Sequence, residues 1–234
     1  MNYKLPRQLF SSELNKIISR KSRGQRSANA SQRNLREMAA VVRDIEASGL
    51  PKRFILKRLP GKLGRGIFLH PLAQKIVKGT VIAPYAGELS IVPQNVEDNG
   101  DYAFAPVENF YLNREEQRVW DPKRRFHPRR IYALKLDALK RGNFTRFINH
   151  SSRPNVEAMT FAIPRNRLGL TPAPVEIVYL AKRDIEPGQQ LLTCYDGADG
   201  SYWGVMGIEP FAMTPKTFQL SPAFRLLRTL NRNS

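Results

Sequence analysis

Apolar residues recur at helical spacing twice near the start of the chain. Phe10, Leu14, Ile17 and Ile18 mark a short basic amphipathic helix, flanked by Lys16, Arg20 and Lys21. Leu35, Met38, Ala39, Val42 and Ile45 mark a second helix, with Ser31 placed to cap its start and Gly49 and Pro51 to stop it. The polar stretch 22–31 between them reads as a linker. From Pro51 the period changes. Phe54-Ile55-Leu56, Ile67-Phe68-Leu69, Thr80-Val81-Ile82 and Ile177-Val178-Tyr179-Leu180 are short apolar or β-branched runs bounded by turn residues, which predicts strands. Asn99-Gly100 suits a type I′ hairpin turn, and Pro187-Gly188 suits the central pair of a type II turn leading into 191–195. The charged stretch 114–130 predicts an exposed helix or insertion. No internal repeat is visible. The pattern predicts an α+β domain of many short strands preceded by helices.

Composition narrows the function classes. The 234 residues include 38 Lys+Arg against 20 Asp+Glu, a formal charge of +18. Such a chain is drawn to polyanions such as nucleic acid or an anionic membrane. At 41% hydrophobic and 25% charged it is globular rather than collagen-like or disordered. No apolar run approaches the ~18–20 residues of a membrane span, so no membrane partner is expected. Residues 1–12 lack the apolar core of a secretory signal. The single cysteine, Cys194, excludes an intrachain disulfide and a cysteine-rich zinc cluster. It is expected to be a buried small hydrophobe rather than a reactive thiol. Residues 1–36 hold nine basic side chains and one acid, Glu13, while the tail from Lys216 adds Arg225, Arg228 and Arg232 with no acid. The expected organisation is therefore a basic helical extension over 1–50, a β-rich domain over 51–200 with a charged insertion at about 106–130, and a basic tail over 201–234.

Three segments carry candidate chemistry. Gly64-Arg65-Gly66-Ile67-Phe68 places glycines before a strand, where backbone can approach a ligand closely, although such pairs also serve tight turns. The third glycine of a dinucleotide fingerprint is missing. Residues 142–151, Gly-Asn-Phe-Thr-Arg-Phe-Ile-Asn-His-Ser, pack polar groups around Phe147 and Ile148. Tyr195, at the end of a strand and before Asp196-Gly197, can project its hydroxyl into a cleft. Taken singly, His150 fits a core histidine, Asn149 a turn former and Tyr195 a packed aromatic.

In this order the segments resemble the SET-domain protein lysine methyltransferases. Gly64 to Phe68 is similar to that family's opening glycine segment, and Tyr85-Ala86-Gly87-Glu88 to its Tyr-x-Gly-Glu strand. Arg146 to Ser151 is the most specific element. Tyr102-Ala103-Phe104 and Leu136-Asp137-Ala138 fall where further motifs would stand. The resemblance runs from about Phe54 to Trp203 and is closest to small chlamydial SET proteins. It implies a SET-domain fold of several short, mostly antiparallel sheets with a pseudoknot-like C-terminal part.

By the same resemblance, Gly64, Arg65, Gly66, Tyr102, Arg146, Asn149, His150 and Trp203 would bind S-adenosylmethionine, with no metal. Tyr195 would be catalytic. Tyr85, Tyr132 and Thr193 would line the channel for a substrate lysine, which the segment from Tyr202 to Phe218 would close. Thr193 stands where relatives often carry Phe or Tyr, and Cys194 where they carry Asp. The implied substrate is a Lys-rich histone or histone-like protein, with non-specific DNA contact through the basic ends. The implied place is a bacterial cytoplasm or, after secretion, a host cell and its nucleus. A different function remains open: a basic nucleic-acid-binding protein with an idle SET-like core.

Overall fold

The computed structural model describes residues 28–29, 31–60, 64–94, 102–120, 125–162 and 176–195. The first predicted helix, the rest of residues 1–27, the Asn99-Gly100 turn, Trp203 and the basic tail lie outside them. The described elements run β1 (Ala28–Asn29), α1 (Gln32–Ser48), β2 (Phe54–Arg58), β3 (Arg65–Leu69), β4 (Val81–Pro84), β5 (Glu88–Pro93), β6 (Ala103–Tyr111), α2 (Arg114–Trp120) and β7 (Ile131–Asp137). A 3-10 helix (Phe144–Phe147), β8 (Asn149–His150), β9 (Val156–Ala162), β10 (Glu176–Ala181) and β11 (Leu192–Thr193) follow. They form four small sheets, ordered β1-β9-β10-β4, β5-β7-β6, β2-β3 and β8-β11. Among the described residues, only the β1–β9 and β8–β11 pairings are parallel.

The second predicted helix forms with the predicted caps. Ser31 Oγ accepts from the Asn34 N–H at 3.1 Å, and Gly49, at φ 76°, donates its N–H to the Ile45 carbonyl. The left-handed backbone there is one that glycine adopts without a Cβ penalty. Leu35, Met38 and Val42 pack on Val81, Val178 and Leu180. Glu37 ties α1 to the edge of the four-stranded sheet by accepting the Val81 N–H at 2.9 Å. A larger core joins all four sheets through Phe54, Ile67, Ile82, Tyr85, Leu134, Phe144, Ile148, Tyr179 and Leu191.

The predicted Pro187-Gly188 turn is present: Gly188 has φ 84°, and the Gln189 N–H reaches the Glu186 carbonyl. Two departures stand out. Residues 106–111, read as the start of an insertion, belong to β6, whose register against β7 slips twice and thereby hides the strand's alternation. Only Leu192 and Thr193 of the 191–195 stretch form a ladder, pairing in parallel with Asn149 and His150.

Candidate active site

The parallel pairing of β8 and β11 brings the 146–151 motif beside the segment ending in Tyr195. Asn155 locks it. Its side-chain amide donates to the Gln190 carbonyl and accepts from the Leu192 N–H, both at 2.8 Å, so a buried side chain imitates one more strand. The Asn155 and Ser151 N–H groups donate to the Leu192 and Thr193 carbonyls. This passage of the C-terminal segment over residues 148–155 is the pseudoknot-like arrangement.

Tyr195 is then fixed at two points. Its N–H donates to His150 Nδ1 at 3.1 Å, which requires that nitrogen to be unprotonated and puts the proton of the neutral ring on Nε2. Its hydroxyl donates to the Ile148 carbonyl at 2.8 Å. Tyr85, at the end of β4, is fixed in the same manner: its N–H donates to Ile177 O and its hydroxyl to Tyr102 O at 2.6 Å. Each hydroxyl proton is committed to a backbone carbonyl. The oxygen lone pairs can then accept from a donor entering between the rings.

Tyr179 is the member that sequence reasoning missed. Its ring stands edge-on to Tyr85 and to Phe104, with centroids 6.1 and 6.2 Å away, and Phe104 stands edge-on to Tyr85 at 4.8 Å. Burial, then the nearby Tyr195 and Tyr85 hydroxyls, push the Tyr179 hydroxyl well above its ordinary pKa. Burial, then Tyr195 and Asp137, do the same to Tyr85, against a smaller opposing pull from Arg146. Three tyrosines from three parts of the chain therefore sit in mutual electrostatic contact, and Tyr85 and Tyr179 are held in the protonated form. The signal was present as a polar-tipped aromatic in the run 177–180, but a fully apolar context made it look like ordinary core.

Residues 146–150 also meet the glycine segment that opens β3. Asn149 donates its side-chain amide to the Arg65 carbonyl at 2.8 Å. Gly66 is buried, and a Cβ there would fall 2.7 Å from Gln190 Nε2 and 3.3 Å from Asn149 Nδ2, so its lack of a side chain lets Gln190 and Asn149 pack against the strand. Arg146 donates to the Ala138 and Leu139 carbonyls, both at 3.0 Å. Its guanidinium lies over the rings of Phe147 and Tyr102, at 4.7 and 6.0 Å, while Arg146 Nε is buried with no hydrogen-bond partner. The preceding Asn143 is structural. Fully buried, it caps the 3-10 helix through Thr145 and donates to Pro84 O at 2.8 Å, tying the motif to the strand that carries Tyr85. Gly87 serves a crossing, since a Cβ there would meet the Asp137 carbonyl at 2.6 Å.

Thus Tyr85, Tyr102, Arg146 and Tyr195 come together, and Arg65, Gly66 and Asn149 adjoin them. Gly64, at φ 68°, shapes the turn into β3. Thr193 and His150 are buried register partners. Two expectations need correction. Tyr132 is not at the cluster: it pairs with Pro93 and stacks on Phe110 at the opposite end of β7 from Asp137, about 17 Å away along the strand. Period-2 placement cannot say which end of a strand meets a site. Cys194 is exposed, not buried: it lies just past β11, whose two residues Leu192 and Thr193 are both buried. Among the described residues no cluster of His, Cys, Asp or Glu is arranged to hold a metal.

The model of the SET domain matches residues 64–196 of this chain. A histone-lysine N-methyltransferase, H3 lysine-4 specific, from Schizosaccharomyces pombe is 32% identical over 124 residues, which cover 52% of this chain and 11% of that much longer protein. A crystal structure of ATXR5 in complex with histone H3.1 mono-methylated on R26 superimposes with a TM-score of 0.52. That likeness covers 76% of this chain and 72% of the other at 16% identity, so it speaks to the fold.

Proposed function

The chain belongs to the SET-domain family, and from that premise we propose that it is an S-adenosylmethionine-dependent protein lysine methyltransferase acting on histones or histone-like proteins. The observation that carries the proposal is the convergence of Tyr85, Tyr179 and Tyr195, with Asn149, next to the Ile148 carbonyl that anchors Tyr195, tied to the glycine segment through the Arg65 carbonyl. The substrate class rests on the motif resemblance and on the H3 lysine-4 specific relative, of which the matched stretch covers 11%. The place of action, bacterial cytosol or host nucleus, rests on the motif resemblance alone.

The residues suit the cofactor on two counts. The unused, buried Nε–H of Arg146, beside Tyr102, offers positive charge and a donor to a carboxylate. Exposed Gly64, with nothing within 4 Å of where a Cβ would stand, leaves backbone open to close approach. Arg65, Gly66, Tyr102, Arg146, Asn149 and His150 would hold the group, with Trp203 a further candidate from the sequence. When bound, it supplies an electrophilic methyl carbon on a sulfonium.

The protein's own work is at the amine. Free lysine has a pKa near ~10.4 and cannot attack as an ammonium. An apolar aromatic enclosure disfavours the charged form, and the proton leaves to solvent before the amine is seated. Tyr85 and Tyr195, whose hydroxyl protons are donated to carbonyls, accept hydrogen bonds from the amine N–H groups and aim the nitrogen lone pair. That alignment supplies much of the rate in an in-line transfer. An idle core that binds nucleic acid is the contrary case. Incubation with labelled S-adenosylmethionine and histones, histone-like proteins or whole lysate is expected to label lysine side chains. Cofactor binding without label on any protein would favour the idle core.

A further inference from the structure

The end of β7 that carries Tyr132 also opens onto a strongly basic surface. The loop into the strand exposes Arg125, His127 and Arg129, with Arg130 half-exposed. It is an ordered turn: the Arg130 N–H donates to the His127 carbonyl at 3.1 Å, and its guanidinium reaches Arg125 O at 3.4 Å. From the start of α2, Arg114 lies over the Phe126 ring at 5.5 Å, which gathers the helix to the loop, and Arg118 is exposed one turn on. Gln94, His127, Arg129, Arg130 and Ile131 line an open depression of about 540 Å³. Among the described residues the acids of this region are few. Glu116 is buried and caps α2 by accepting the Asn113 N–H, so the exposed carboxylates on α2 and β6 are Glu115 and Glu108. Among the described residues, five arginines face two carboxylates.

We infer that this depression and its arginine rim bind the phosphate backbone of nucleic acid, without regard to base sequence. Among the described residues the rim's cations are arginines, whose planar fork matches phosphate oxygens two at a time, whereas lysine offers only a point charge. A concave basic surface also concentrates field toward a polyanion. An anionic membrane fits less well. The exposed large apolar side chains here are Tyr111, Val119 and Ile131, and α2, at seven residues, is too short to lie along a bilayer interface. The surface stands about 17 Å along β7 from the end nearest the tyrosines, so a strand bound there leaves the site open. The inference does not depend on methyl transfer. If both hold, nucleic acid on this surface recruits Lys-rich proteins that a +18 enzyme would otherwise repel.

The test uses the full chain and fluorescence anisotropy with labelled duplexes of about 20 base pairs, in two unrelated sequences, over a range of salt. The double variant Arg125→Ala/Arg129→Ala removes two exposed side chains, and circular dichroism melts are expected to superimpose on wild type. It should bind both duplexes about tenfold more weakly, with a log–log salt slope shallower by about 1.8, or 0.9 for each phosphate no longer neutralised. Arg125→Lys/Arg129→Lys should keep most of the slope. Lys78→Ala/Lys182→Ala, which removes equal exposed charge from outside both this surface and the basic ends, should leave the slope unchanged. An unaltered slope in the first variant overturns the inference, as does an equal weakening in the lysine control, which would assign binding to overall charge. Weaker binding to phosphatidylserine vesicles with unchanged DNA binding would give the surface to a membrane instead.

Discussion

Tyr179 is buried among Tyr85, Phe104 and, electrostatically, Tyr195. On the proposed reading its hydroxyl borders the place of the amine and limits the room for added methyl groups. Tyr179→Phe is expected to keep cofactor affinity and to shift products toward higher methylation states, read by mass spectrometry of a modified peptide. An unchanged product distribution would place Tyr179 in the core alone. The same hydroxyls set an alkaline limit. Their folded-state pKa values lie above the ordinary 10.0. Below that value both folded and unfolded chains are protonated and stability is intact. Above it the unfolded chain ionises first, so stability declines as pH rises. Denaturant midpoints should fall beyond about pH 10, and less steeply in Tyr179→Phe. Cys194, being exposed, should react one-to-one with a thiol reagent in the native protein, and Cys194→Ser should remain active. Most of the site was legible residue by residue, because Arg146, Asn149, His150 and Tyr195 sit in motifs. Tyr179 was not, because an apolar strand context conceals a functional hydroxyl.

At the scale of elements, the joint between β8 and β11 decides whether Tyr195 is in place. Asn155 satisfies two buried backbone groups, Gln190 O and the Leu192 N–H. Asn155→Ala would leave both without partners, at about 1–3 kcal/mol each. The expected result is a lower urea midpoint together with reduced turnover. A variant of wild-type stability would show that the segment is held by other interactions. Elements with local signals were predictable: α1 through Ser31 and Gly49, and the turn at Gly188 through Pro187. The β8–β11 pairing was not, since two-residue strands joined across such a long stretch of chain leave no periodicity. β6 was hidden by its register slips and by Asn109 at φ 55°.

Across the whole molecule, the four small sheets share one core, and the chemistry lies where their ends meet rather than on any one sheet. The tyrosine cluster and the arginine-rimmed depression occupy opposite ends of β7, which separates amine chemistry from polyanion binding. Charge alone pointed to a polyanion but placed it at the chain ends. Only the folded arrangement of Arg114, Arg125, Arg129 and Arg130 brings forward a defined surface. The most direct measurement of the proposed chemistry compares wild type with Tyr195→Phe in single-turnover methyl transfer to one lysine peptide, with S-adenosylmethionine affinity measured on both. Removing the hydroxyl held by Ile148 should lower the transfer rate by roughly 10²-fold while leaving cofactor affinity and the melting curve nearly unchanged. Equal transfer rates in the two proteins would contradict the role given to Tyr195 and to the site built around it.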